Sequence, residues 1–135
     1  MKGDSKIVEA LNSLLAYELA AMDQYFIHAK MYEDWGLKKL FERIDHEFDD
    51  EKGHASKLIE RILFLEGTPN MVNREGLAIG STVPEMLEND LNVEYAVDNE
   101  LKRVMSLCEE KQDFVTRNIL QELIDDTEID HAFWL

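Results

Sequence analysis

Apolar residues recur every three to four positions through most of this chain, and no stretch shows the strict alternation of a strand, so the pattern predicts an all-α protein. In the first stretch Ile7, Leu11, Leu14, Leu15, Met22, Tyr25 and Ala29 fall on one stripe. Asp4 or Ser5 can cap it, and Gly36 after Trp35 can end it. A second stripe carries Leu40, Ile44, Leu58, Ile62 and Leu65 and stops at Gly67-Thr68-Pro69. The third starts near Thr82-Val83-Pro84, with proline suited to a first turn, and runs through Leu87, Leu91, Val97, Leu101 and Met105. A fourth follows Gln112-Asp113, with Ile119, Leu120, Leu123, Ile124 and Leu135.

The connections between these stretches decide the topology. A tight turn around Gly36 makes the first two helices antiparallel. Gly67 to Ser81 is a linker of 15 residues. Extended, it reaches roughly 50 Å, against ~45 Å for a helix of about 30 residues. Helices two and three can therefore run parallel. The expectation is a four-helix bundle in a single domain over 1–135, with one long crossover between helices two and three.

Composition narrows the function. A chain of 135 residues, 45% hydrophobic and 32% charged, can bury a core. Its formal charge of −15 argues against a grip on nucleic acid and favours cations. Cys108 is the only cysteine, which excludes an internal disulfide and a multi-thiolate metal site and fits a cytoplasmic setting. No signal-peptide pattern opens the sequence, and no apolar run approaches the ~18 residues of a membrane span.

Charged residues break into the stripes at a few places. Glu51-Lys-Gly-His54 and Glu128-Ile-Asp-His131 each put a carboxylate and an imidazole three residues apart, on one helix face. Glu18 lies seven after Leu11, and Glu94 seven before Leu101, each inside an apolar stripe. Buried carboxylates without compensation are costly, so cations are expected beside them. Four carboxylates and two imidazoles from four helices are the donor set of a two-metal site. Mixed oxygen and imidazole ligation with open positions suits iron or manganese better than closed structural zinc.

Longer runs carry a resemblance. Met-Lys-Gly-Asp at the start, Asp23-Gln-Tyr-Phe-Ile-His28, Asp34-Trp-Gly36, Ile59-Glu-Arg-Ile-Leu-Phe-Leu-Glu-Gly67 and Asp113-Phe-Val-Thr-Arg117 resemble bacterioferritin sequence along nearly the whole chain. The resemblance implies a ferritin-like bundle, a shell of 24 subunits, a di-iron ferroxidase centre in each bundle and an iron mineral inside. It implies Glu18 and Glu94 as terminal ligands, Glu51 and Glu128 as bridges, and His54 and His131 on one metal each. Tyr25, sharing the stripe of Glu18, is a candidate electron donor. His46 and Asp50 are candidates for passing iron along the inner surface.

Two departures stand out. The family's haem-ligating methionine follows the bridging glutamate of helix two, and here that position is Lys52, followed by Gly53. Haem from this subunit alone is therefore not expected, while a mixed oligomer with a haem-binding subunit would supply it. The family also continues beyond Phe133-Trp134-Leu135, so the C-terminal end is expected to be truncated relative to it.

The function expected is iron storage and detoxification, with Fe2+ oxidised to Fe3+ by O2 or H2O2 in a homo- or hetero-oligomer, and a ferredoxin-type reductant as a candidate partner. The alternatives are a structural or haem-partnered shell subunit and a di-iron peroxidase. One cysteine excludes the four-cysteine iron domain that usually accompanies such peroxidases. A DNA-protecting mini-ferritin places its metals between subunits and lacks paired Glu-x-x-His strings.

Overall fold

The computed structural model describes residues 1–131. Four helices form: α1 (Ser5–Asp34), α2 (Lys38–Phe64), α3 (Val83–Glu110) and α4 (Phe114–Asp125), the last running into a π-helical segment, Asp126–His131. No strand occurs among the described residues. The expected Leu135 of the fourth stripe and Trp134 lie outside them.

Each boundary has a local cause. The Asp4 carboxylate accepts from the Lys6 amide at 2.7 Å and opens α1. Gly36, at φ +75°, takes the left-handed conformation that lets α1 turn back into α2. Thr82 caps α3 with Pro84 in the first turn, and Asp113 accepts from the Thr116 amide at 3.0 Å to start α4.

Inter-helix contacts fix the directions. Along α1, Glu18 meets His54 of α2, while Gly67 past the end of α2 lies against Val8, so α1 and α2 are antiparallel. Gln24 meets Asp90 and Ser13 meets Glu100, so α3 is antiparallel to α1 and parallel to α2. Arg61–Thr116 and Lys57–Glu122 make α4 antiparallel to α2. The linker 67–81 is what permits this arrangement. It climbs α1 by successive hydrogen bonds: Asn12 to Thr68 and Asn70, Ala16 to Glu75, Asp23 to Arg74, Gln24 to Ala78 and His28 to Ile79. From Asn12 to His28 is a rise of about 24 Å along the helix.

The core is the set of inward stripes. Ile7, Leu11, Leu14, Leu15, Ile44, Leu58, Ile62, Leu101 and Leu120 are buried, with Met22, Met31 and Met105 packed at its edge. In α3 the innermost positions are Met86, Val93 and Val97, and the expected Leu87 and Leu91 lie half-buried beside them. Trp35 is a partly exposed residue at the end of α1, edge-on to Tyr32.

A buried polar layer crosses the bundle near that end. The Gln24 side-chain amide donates to Asp90 at 2.9 Å, and His28 sets Nδ1 3.0 Å from Asp90 and Nε2 2.7 Å from the Ile79 carbonyl. All three side chains have no solvent exposure. This layer pins the end of the crossover to α1 and α3. It also keeps α3 in register with α1 one turn from Glu94.

Candidate metal centre

One turn below that layer the apolar core is interrupted by charge. Glu18, Glu51, Glu94 and His131 are fully buried, and His54 nearly so. They arrive from all four helices because each takes an inward position that an apolar residue would otherwise fill. Glu51 is the middle of the group: its Oε1 is 3.0 Å from Nδ1 of His131, and its Oε2 is 3.5 Å from Nδ1 of His54. Glu18 Oε2 lies 2.8 Å from His54 Nδ1, and Glu94 Oε1 lies 3.4 Å from His131 Nδ1. The two imidazoles stack, with centroids 5.2 Å apart and planes inclined by 11°. Tyr25, also fully buried, donates its hydroxyl to Glu94 in a very short hydrogen bond.

The carboxylates are not satisfied by protein. Oε1 of Glu18, Oε2 of Glu51 and Oε2 of Glu94 are buried without a hydrogen-bond partner. Such atoms are costly unless a cation completes them, so the donor set fits metal. In the metal-free centre protons serve instead. Burial and the charge of Glu51 push Glu18 up to about 7, against the pull of His54. Burial alone would lower both imidazoles, but bonds to Asp126, Glu18 and Glu51 hold His54 far above the ordinary range. Bonds to Glu51 and Glu94 likewise push His131 up to about 12. Tyr25 is raised well above a free phenol by burial and the Glu94 charge, so it stays protonated.

Glu128 is the expected residue that the structure sets apart. It does not join this group; its side chain is 46% exposed and pairs with Lys102 Nζ at 2.9 Å, near Asp98. The reason is the π-helical stretch Asp126–His131. Its i→i+5 hydrogen bonds widen the turn, so residues four and five apart lie over one another and residues three apart do not. Glu128 stands three before His131, so it is turned outward. Thr127, four before, is buried, and its hydroxyl donates to the Leu123 carbonyl at 2.8 Å. Asp126, five before, comes to the centre, with Oδ2 2.6 Å from His54 Nε2.

A second acidic group lies outside His131. Its Nε2 is 3.3 Å from Glu47 and 3.4 Å from Asp50, with Asp130 beside them. Glu47 is fully buried and salt-bridged to Arg43. His46 is largely exposed and 3.3 Å from Asp50, so of that pair only Asp50 reaches the centre's outer edge. Lys52, at the expected haem position, is exposed on α2. Glu47 was legible in the sequence, three after Ile44 and four before Glu51 on the same stripe. Asp126 was not, since only the π-helical turn brings it in.

Comparison with known proteins agrees with the fold. The ferritin-like domain family matches residues 8–135. The chain is 55% identical to a bacterial ferritin of Synechocystis over all of its length and 86% of that protein. It is 53% identical to a bacterial ferritin of Pseudomonas aeruginosa, again over its full length and 87% of the relative. A bacterioferritin of Rhodobacter capsulatus is 44% identical over 95% of this chain and 80% of its own. A family match from near the start to the end, with relatives 44–55% identical over 95–100% of this sequence, leaves one assignment: the chain belongs to the ferritin-like family.

Proposed function

We propose that this chain stores iron by oxidising Fe2+ at the buried centre and passing Fe3+ to a mineral held by an assembled shell. The observation that carries the reading is the set of three buried carboxylates with unpartnered oxygens facing two stacked imidazoles in the bundle core. Fe2+ is the substrate here. Glu51, placed between the two rings, holds both ions; Glu18 and His54 hold one, and Glu94 and His131 the other. The oxidation takes one electron from each of two Fe2+. With H2O2 as oxidant the balance is two Fe2+, one H2O2 and two protons to two Fe3+ and two water molecules. Having two ions side by side matches a two-electron oxidant.

The surrounding residues support the cycle. The Tyr25 hydroxyl, bonded to Glu94, holds that carboxylate in place, which supports Tyr25 as an electron donor to the centre. Asp50 and His46 lead from the outer edge of His131 toward the surface and hand iron on. Exposed apolar side chains on several helices, among them Phe26, Tyr95 and Phe114, support burial between subunits of a 24-subunit shell. Lys52 supports a mixed shell in which a second kind of subunit brings haem, with a ferredoxin-type reductant for release. Among the described residues no helix is long and apolar enough to cross a membrane.

Anaerobic Fe2+ titration followed by addition of O2 or H2O2 tests the reading. Two Fe2+ per chain should bind and oxidise rapidly, and Glu18→Ala or Glu94→Ala should abolish the fast phase while the helical fold persists. Wild-type oxidation rates in both variants would refute the centre.

A further inference from the structure

Two aromatic side chains of α1, Tyr32 and Trp35, have no part in the centre, yet they continue the line of Tyr25 to the end of the helix. We propose that Tyr32 and Trp35 extend Tyr25 into a chain that brings electrons from the protein surface to the centre, so that a half-filled centre still reduces peroxide completely to water. The inference rests on Tyr25 as a donor to the centre and names the source that refills it.

Tyr25 and Tyr32 are seven residues apart on the inward stripe of α1, a rise of about 10 Å along the helix, and both are fully buried. Between them stands the His28 ring, also fully buried, its centroid 6.3 Å from that of Tyr32. Asp90 and the Ile79 carbonyl hold that ring, so it serves as packed medium between the two tyrosines. From Tyr32 the next ring is Trp35, 6.3 Å away between centroids and edge-on at 68°. Trp35 is 43% exposed, so the line opens to solvent at the turn into α2. At the inner end Tyr25 donates to Glu94. Packing alone does not account for Tyr32. Its hydroxyl is buried without a hydrogen-bond partner, a cost that phenylalanine would avoid in the same space. What the hydroxyl adds to the ring is the capacity to be oxidised by one electron, which the indole of Trp35 shares.

The electron count gives the chain its use. Each Fe2+ gives one electron and H2O2 takes two, so one ion alone leaves the oxidant an electron short. With no other donor the O–O bond breaks to hydroxide and a hydroxyl radical. With the chain, Tyr25 supplies the missing electron and is restored through Tyr32 by Trp35, whose indole gives its ring N–H proton to solvent. The balance is one Fe2+, one H2O2, one proton and one indole to one Fe3+, two water molecules and one neutral indole radical. An oxidised Tyr32 has no partner to take its proton, so the electron vacancy does not settle there and moves on to Trp35. At the surface a small soluble reductant, such as a thiol or ascorbate, returns the electron to the indole.

Rapid-freeze EPR of the assembled protein, loaded with one Fe2+ per chain and mixed with H2O2, tests this together with spin trapping of hydroxyl radical. Wild type should show a tryptophan radical and little trapped hydroxyl radical. Trp35→Phe, which keeps an aromatic ring, should lose the tryptophan signal, and its hydroxyl-radical adduct should rise severalfold. Tyr32→Phe, which keeps the packing, should do the same. Trp35→Tyr is redox-active again, so it should return the adduct toward the wild-type level and show a tyrosine signal in place of the tryptophan one. A wild type without a tryptophan radical, or an unchanged adduct in Trp35→Phe or Tyr32→Phe, would overturn the proposal. So would a tryptophan signal that survives in Trp35→Phe and is lost in Trp134→Phe. An unchanged adduct in Tyr25→Phe would instead remove Tyr25 as a donor to the centre, and this inference with it.

Discussion

Filling the centre with metal should expel protons, because its imidazoles and Glu18 hold them in the metal-free state. In the metal-free centre both imidazoles sit between carboxylates on their two nitrogens, and both are held far above their ordinary value. Each must give up a proton before its Nδ1 can bind an ion, which makes two. Glu18, at about 7, adds roughly half of one at neutral pH. The expected release at pH 7 is therefore about 2.5 protons per chain for two divalent ions. Each released proton makes the pair of binding steps tenfold tighter per pH unit, so the overall association should strengthen roughly 300–800-fold from pH 6 to 7. Stability without metal should move the other way. Glu18 and His131 are both raised on folding, so their contribution is complete below about 4.5 and 6.5 respectively and is lost as pH rises toward about 7 and about 12. The metal-free Tm should thus fall between pH 5 and 8, and Zn2+ should reverse the trend. Zn2+ titration in lightly buffered solution with an indicator dye counts the protons directly. Fewer than one proton per chain at pH 7, or an affinity independent of pH, would show that the imidazoles are neutral in the empty centre and that the charge account is wrong.

Two glycines should respond in opposite directions. A Cβ on Gly67 would lie 2.5 Å from Val8, so Gly67→Ala should cost about 1–3 kcal/mol. Gly53 meets nothing within 4 Å and sits inside α2, so Gly53→Ala should gain about 1 kcal/mol in a denaturant melt of the dissociated chain; a loss there would contradict the open surroundings. His28→Ala would leave Asp90 and the Ile79 carbonyl short of a partner, at about 1–3 kcal/mol each. It should speed proteolysis within 67–81 before the helices open, and cleavage at the wild-type rate would show that the polar layer does not pin the crossover. The protein expressed alone with added haem should purify with well under one haem per subunit pair, because Lys52 offers a protonated, hydrated ammonium where a soft sulfur is needed. Stoichiometric bis-methionine bands in the visible spectrum would refute that.

The helices were legible because two kinds of signal agree at every boundary. The apolar stripes of α1 and α2 give the period, Gly36 and Gly67 give the stops, and Pro84 marks the start of α3. The depth of Glu18, Glu51, His54 and Glu94 follows from the same arithmetic, since an α-helix assigns each residue a face once its stripe is known. The crossover was legible as a length, yet its path along α1 depends on partners such as Gln24 and His28 that choose their acceptors only in three dimensions. Glu128 marks where this kind of reasoning stops. A Glu-x-x-His string brings its two side chains together only while the backbone keeps i→i+4 hydrogen bonds, and at Asp126–His131 it does not. Nothing in the residues Asp-Thr-Glu-Ile-Asp-His announces the wider turn: all but Ile129 are polar, and the stripe that would reveal a slip in register offers no residue between Ile124 and Leu135. The wider turn sets the residue five before His131 beside His54 and the residue three before it in an ion pair with Lys102. The same turn brings Asp126 against the outer nitrogen of His54. Spacing therefore gives a side chain's depth only where packing on both sides of the string holds the helix to its ordinary pitch, as Ile44 and Leu58 do around the buried Glu51 and His54.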